Sequence, residues 1–306
     1  MQGFMEQCVS VYLDLAKQDK SCLKSANTPF LDEHALDKEM DNLPPDKRGG
    51  TLQAIACKVL MKILYAARLA RFDLLKAVQG LATKVSKWDH ACDRKLHRLV
   101  CYINSTLDYR LIGHIGDPPE LLEIALYSDA DFASCLETSK STSGVFIALK
   151  GPNTFFPLNA SSKKQTCVSH STPEAEIVAA DVALRSEGLP ALQLRDKVFN
   201  RATKIIFMED NQATMRILQT GRNPTLRHLG RTHRVDLAWL SEVFRNNKQV
   251  CIRYCVTSEM CADILTKAFT NPLRWTHACE LICMVRRSHS GNYGPDLSAE
   301  HMRQAC

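Results

Sequence analysis

Leu126-Tyr127-Ser128-Asp129-Ala130-Asp131 closes an apolar run that begins at Leu122. Leu122–Tyr127 reads as a strand, and Asp129 follows directly on its end. Gly144–Leu149 and Thr154–Leu158 are two further strand segments, joined by the turn-rich Lys150-Gly151-Pro152-Asn153. Pro173–Gly188 reads as a helix, with Thr172 as its N-cap and Pro173 at the first helical position, where a missing N–H costs nothing. Lys204–Met208 is an apolar strand, Asn211–Gln219 and Val235–Phe244 are helices, Val250–Val256 is a strand and Glu259–Phe269 a last helix. Hairpin strands followed by helix–strand alternation predict an α/β domain over residues 121–269, a mixed sheet with helices on its faces.

Upstream, the period changes. Leu52, Ile55, Val59, Leu60, Ile63, Leu64 and Ala67 recur at the three-and-four spacing of one helix face. Leu75, Val78, Leu81, Ala82 and Val85 repeat the pattern, as do Leu96, Leu99, Val100 and Ile103. Residues 51–118 therefore read as a small helical region, ended by Asp117-Pro118-Pro119. Residues 1–50 are polar and broken, with one short helix around Phe4–Ala16 and a linker-like Asn42–Gly50, and read as a loosely ordered segment. Periodicity fades after Trp275–Val285, so 270–306 reads as a tail.

Composition narrows the class. With 45% apolar and 24% charged residues, the 306-residue chain is an ordinary globular protein with room for one large or two modest domains. The 13 cysteines are scattered and never form Cys-x-x-Cys, and the closest spacings, Cys251/Cys255 and Cys279/Cys283, lack the further His or Cys pair of a zinc site. Reduced thiols fit a cytoplasmic or nuclear protein. Glu6 and Asp14 interrupt the N-terminal apolar residues, which argues against a signal peptide, and no apolar run approaches the ~20 residues of a membrane span, so no membrane partner is expected.

Four acids fall where chemistry would place them. Asp129 follows the first strand, Glu176 lies in the first turn of the helix after the hairpin, Asp210 follows the fourth strand, and Asp263 lies in the first turns of the last helix. Acids at strand ends and helix starts converge on one edge of an open sheet. Unit charges ~4 Å apart repel by several kcal/mol at intermediate dielectric, and divalent cations offset that repulsion. An all-oxygen donor set selects Mg²⁺ or Mn²⁺ over zinc, and two such ions ~4 Å apart can clamp the attacking and leaving oxygens of a phosphodiester. Any one of these acids alone is more readily a helix-dipole or strand-end carboxylate. The order Asp-Glu-Asp-Asp on this element order is the specific signal.

The stretch from Glu123 to Ala268 resembles the ribonuclease H domain of copia-type LTR retrotransposons. The resemblance is carried by Tyr127–Ala133, Lys140–Gly144, Ser162–Gln165, Glu174-Ala175-Glu176, Asp210-Asn211, Asn223-Pro224 with His228 and Arg231-Thr232, and Ala262–Lys267. It implies a ribonuclease H-like five-stranded mixed sheet flanked by helices. It also implies two Mg²⁺ or Mn²⁺ ions held by Asp129, Glu176, Asp210 and Asp263, and cleavage of the RNA strand of RNA·DNA hybrids to 5′-phosphate and 3′-hydroxyl ends. Asp131 and Glu174 are the rival carboxylates of their motifs. Residues 51–110 more loosely resemble the connection that follows the polymerase in the same polyproteins, so a reverse transcriptase part of such a polyprotein is an implied partner. No Asp-Asp occurs anywhere, and no DNA synthesis is expected of this chain. Residues 249–262 lack the His that many ribonucleases H hold before their last Asp.

From Asn211 to Val235 there is no acid, while Arg222, Arg227, His228, Arg231 and Arg234 accumulate. Beside a metal centre such a segment suits a phosphate backbone. Ser141, Thr142 and Ser143 are further candidates for phosphate or 2′-hydroxyl contacts. Two rival readings stand: a catalytically inactive transposon remnant that at most binds nucleic acid, and a transposase or integrase, whose acids would run Asp, Asp, Glu.

Overall fold

A computed structural model describes residues 1–135 and 137–286, and these divide into two compact units. The first comprises Met1–Leu111, Ala268–Glu280 and a short strand at Met284–Arg286; the second comprises Ile112–Lys267 and Leu281–Cys283.

The first unit begins with α1 (Gln2–Ala16), α2 (Glu33–Asn42), α3 (Gln53–Leu69), α4 (Leu75–Ala82) and α5 (His90–Ser105), followed by β1 (Tyr109–Leu111). Within the segment expected to be loosely ordered, the helix around Phe4–Ala16 is present as α1 and a second helix, α2, accompanies it. Met5, Cys8, Val9 and Tyr12 of α1 are buried at three-and-four spacing, and Asp32 caps α2 by accepting from the amides of His34 and Ala35. The predicted face of α3 is the buried one, through Ala56, Val59, Leu60, Ile63, Ala66 and Ala67. Each fully buried Leu or Ile there contributes about 1.5–3 kcal/mol. Behind α3, Arg71 and Asp73 form a buried ion pair, discussed below.

The second unit carries β2 (Glu123–Asp131), β3 (Thr142–Gly151), β4 (Thr154–Lys164), α6 (Thr172–Val182), α7 (Leu189–Phe199), β5 (Ile205–Glu209), α8 (Gln212–Thr220), α9 (Leu229–Thr232), α10 (Leu237–Asn246) and β6 (Val250–Tyr254). The strands form one five-stranded mixed sheet in the order β4-β3-β2-β5-β6. β2, β3 and β4 run as an antiparallel meander, whereas β2, β5 and β6 are parallel neighbours. This is the mixed sheet the sequence predicts, and its apolar core joins Ile124, Leu126, Ile147, Ile205, Phe207 and Val250 to Ile177, Leu184, Leu218 and Leu240 of the helices.

Three local readings change. The N-cap of α6 is Ser171, not Thr172, because its hydroxyl accepts from the Glu174 amide at 3.3 Å. The helix does not end at Gly188 but passes through a π turn at Ala183–Gly188 into α7. The expected last helix, Glu259–Phe269, is instead two short 3₁₀ turns, Thr257–Glu259 and Cys261–Leu265. After them come α11 (Pro272–Leu281) and β7 (Met284–Arg286), which pairs antiparallel with β1. The predicted tail beyond residue 286 lies outside the described residues.

Candidate metal centre

Sheet register brings the first two acids together. β2 and β5 are parallel, with Tyr127 beside Met208. Two residues further along both chains stand Asp129 and Asp210, at the carboxyl ends of adjacent strands where open α/β sheets place their sites. Asp263 arrives from the 3₁₀ turn Cys261–Leu265. Its approach depends on Gly144, the β3 neighbour of Asp129. A Cβ at Gly144 would lie 2.6 Å from Thr266 Cγ2 and 2.9 Å from the Ala262 carbonyl oxygen, so only glycine lets this turn sit so close to the sheet. Glu176 comes from the first turns of α6.

Carboxylate oxygens of Asp129, Asp210 and Asp263 all lie within 4.8 Å of one another, and so do those of Glu176, Glu209 and Asp210. Asp210 belongs to both groups. All four acids singled out in the sequence thus meet, joined by Glu209, which sequence reasoning missed. A signal for it exists: Ile205, Phe207 and Glu209 alternate along β5 and share a face, and all three are fully buried. Asp131, the rival of Asp129, belongs to neither group; it lies near enough to raise the pKa of Asp129.

The cluster is electrostatically unresolved. Asp129, Glu176 and Glu209 are nearly inaccessible, and the Oε2 atoms of both glutamates are buried without a hydrogen-bond partner. Burial, and then the charges of Asp129, Glu209 and Asp210, push Glu176 up to about 11. Burial and Asp129 push Asp263 up to about 7. Burial likewise raises Asp129 and Glu209. Among the described residues one cation answers them: Lys267 Nζ lies 2.7 Å from Asp263 Oδ1 and 3.7 Å from Asp129 Oδ1. Thr266 donates its hydroxyl to Asp129 Oδ2. Both residues follow from the 3₁₀ turn, where the Asp263 carbonyl accepts from the amides of Thr266 and Lys267. Orphaned, mutually repelling buried oxygens with no nitrogen or sulfur donor are the donor set of a hard divalent cation. The residues present therefore fit the ions that the sequence implies.

The phosphate candidates divide. Ser141, Thr142 and Ser143 are buried at the start of β3. Ser141 Oγ accepts from the Ala133 amide, Ser143 Oγ accepts from Gln165 Nε2, and Thr142 pairs with the Ser134 hydroxyl. Their hydroxyls are committed inside the fold rather than offered to a phosphate. Arg222, Arg227, Arg231 and Arg234 are exposed, and among the described residues none of them pairs with a carboxylate. Arg222, Arg227 and Arg234 line a cavity of about 740 Å³ whose floor includes Leu226, Leu229 and Val235. Asp236, also in its lining, is occupied in capping α10 through the amides of Ala238 and Trp239. His228 points away from that role, because its Nε2 donates to Glu174 Oε1 at 3.0 Å.

The chain is 22% identical over 246 residues to the retrovirus-related Pol polyprotein from transposon TNT 1-94 of Nicotiana tabacum. The chain is similar to a retrovirus-related Pol polyprotein. The match covers 80% of the chain but only 17% of the polyprotein's length. No protein-family model matches. Among solved structures, the ribonuclease H1 LC11 from a compost metagenome aligns over 47% of this chain and 92% of its own, at 15% identity and a TM-score of 0.30. The protease–reverse transcriptase of prototype foamy virus aligns over 55% of this chain and 21% of its own, at 16% identity and a TM-score of 0.30. Among the described residues no helix is long and apolar enough to cross a membrane.

Proposed function

We propose that this chain is a metal-dependent endonuclease that hydrolyses the RNA strand of RNA·DNA hybrids within a retrotransposon polyprotein. The observation that carries the reading is the pair of overlapping carboxylate groups sharing Asp210. Asp129, Asp210 and Asp263 would hold one Mg²⁺ or Mn²⁺ and Glu176, Glu209 and Asp210 the other. Bound there, such ions supply an activated water and neutralise charge on the leaving oxygen. Thr266 fixes the Asp129 carboxylate by its hydrogen bond, and Lys267 keeps positive charge at the same edge. Arg222, Arg227 and Arg234, with Arg231 beside them, hold backbone phosphates of the substrate, an attraction that weakens with salt. The hybrid as substrate, and a reverse transcriptase part as partner, come from the polyprotein resemblance.

The test is direct. Purified protein should cut the RNA of a labelled RNA·DNA duplex in Mg²⁺ and not in EDTA, and should leave duplex DNA intact. Asp210→Asn, which removes the shared carboxylate, should abolish cutting while the variant still folds. Wild type that binds hybrid yet cuts in neither Mg²⁺ nor Mn²⁺ would be the inactive remnant instead.

A further inference from the structure

Glu174 and Glu176 stand two residues apart on α6, and at 3.6 residues per turn they point to opposite sides of it. Glu176 meets the carboxylates. Glu174 is 1% exposed and belongs to neither carboxylate group. Its Oε2 accepts from the His170 amide at 3.0 Å. Its Oε1 accepts from His228 Nε2 at 3.0 Å, and His233 Nε2 lies 3.2 Å from the same oxygen without hydrogen-bond alignment. The His233 side chain is 1% exposed, and its Nδ1 has no partner. Two histidines and a glutamate are donor types that zinc accepts. Yet among the described residues only the two carboxylate groups bring three ligand atoms within 4.8 Å of one another. This is a carboxylate hydrogen-bonded to one imidazole and in close polar contact with a second.

The two histidines hold the two ends of one element. His228 is the N-cap and His233 the C-cap of the four-residue helix α9. Arg227 precedes the first histidine and Arg234 follows the second, and both line the arginine cavity. Arg234 holds a left-handed φ of 57°, a conformation a branched-free but bulky residue keeps only where its surroundings hold it. Residues 221–236 are further held by a 3₁₀ turn at Pro224–Leu226, by the buried side chains of Leu226, Leu229 and Val235, and by the Cys167 thiol donating to the Thr232 carbonyl at 2.9 Å. We propose that Glu174 is a positioning residue: by gripping both ends of α9 it holds Arg227 and Arg234 in register with the helix that carries Glu176. This rests on the nuclease reading and names what aligns its phosphate contacts with its carboxylates.

The experiment separates this from a ligand role and from a bland structural one. Hybrid binding to wild type, Glu174→Ala and Glu174→Gln is measured without metal over a salt series, alongside kcat, KM and the melting shift on adding Mn²⁺. Glu174→Ala should weaken binding and raise KM by about 10–100-fold, the range for a lost supporting contact. The slope of log affinity against log salt should shrink by about two, one for each misplaced arginine. kcat should stay within about threefold, on the scale where tenfold is 1.36 kcal/mol. The Mn²⁺ shift should be unchanged, and Glu174→Gln, which keeps an acceptor oxygen, should recover part of the affinity. If Glu174→Ala fails to fold, His233→Gln must shrink the slope and Glu174→Gln must shrink it by a smaller amount, or the proposal falls. A lost Mn²⁺ shift with unchanged affinity would make Glu174 a metal ligand and overturn it. An unaltered salt slope would overturn it equally. The binding arm is independent of cleavage, so a wild type that binds but never cuts refutes the nuclease reading and leaves this proposal to be judged on affinity.

Discussion

Two buried charge clusters, one in each unit, are solved in opposite ways. In the helical unit, Arg71 and Asp73 are 2% and 0% exposed and form a bidentate pair, with Nε to Oδ1 at 2.9 Å and Nη2 to Oδ2 at 2.8 Å. Thr106 accepts two further guanidinium protons through its carbonyl and hydroxyl. Tyr102 donates to Asp73 Oδ2, and Trp275 Nε1 donates to the Tyr102 hydroxyl. Every charge has an opposite and nearly every donor an acceptor. In the sheet unit, five carboxylates face one ammonium, and two glutamate oxygens are buried with no partner. A satisfied network stabilises one conformation of the chain itself. An unsatisfied one raises the free energy of the chain alone and is relieved only by something the chain does not contain. The two clusters should therefore answer mutation with opposite signs.

The largest effect falls on the satisfied cluster. Asp73→Asn leaves a buried guanidinium unpaired and should destabilise the helical unit by about 3–5 kcal/mol, read as a lower denaturant midpoint. Next comes added metal. At one hundred times its Kd, Mn²⁺ should stabilise the sheet unit by about 2.7 kcal/mol, and it should do nothing for Asp210→Asn. The metal effect carries a pH signature. Acids whose folded pKa is raised take up protons on folding, so their stability contribution is present below the ordinary value and is lost as pH rises. For Asp263 that window runs from 3.8 to about 7, and for Glu176 from 4.5 to about 11. Metal-free protein should thus melt lower at pH 8 than at pH 5.5. The gain on adding Mn²⁺ should be larger at pH 8, because binding must expel those protons. A gain that does not depend on pH would show that the ions bind elsewhere. Third, Glu176→Gln removes repulsion at the cost of function and should raise metal-free stability by about 0.5–2 kcal/mol. A destabilised Glu176→Gln would erase the contrast between the clusters.

How far this contrast could be read beforehand depends on range. Asp129 and Asp210 were legible because each follows an apolar strand and the strands proved to be parallel neighbours in matching register. Glu176 and Asp263 were legible by motif. Glu209 was not, since an acid inside a strand counts as exposed until the alternation with Ile205 and Phe207 is followed to its last residue. Ser141–Ser143 misled for the same reason: a run of hydroxyls reads as a polar turn, but here it opens a strand buried on both faces. Glu259–Phe269 has helical composition, yet Gly144 admits a tighter path in which i→i+3 bonds aim Thr266 and Lys267 at Asp129. In the N-terminal fifty residues the helix around Phe4–Ala16 is legible from its apolar face, whereas α2 is not, because Leu36 is its buried residue and its sequence carries no apolar stripe.

Lys267 is where the two clusters most resemble each other, and its replacement is the finest test. It is the analogue of Arg71, a cation among carboxylates, but its side chain is 36% exposed and it answers only part of the charge. Burial works against its ammonium, while Asp129 and Asp263 hold its pKa above the ordinary lysine value. Lys267→Met should lower metal-free stability by about 0.5–1 kcal/mol, a modest figure because solvent screens so exposed a pair. The same substitution removes the cation that, among the described residues, competes with metal for the carboxylates. Both consequences enlarge the difference between melting temperatures in EDTA and in Mn²⁺. Comparing those differences for wild type and Lys267→Met therefore reads a small effect as a sum of two terms of the same sign. An equal or smaller difference in the variant would mean that Lys267 supports the bound ions rather than standing in for them, and the carboxylates would then need it even when loaded.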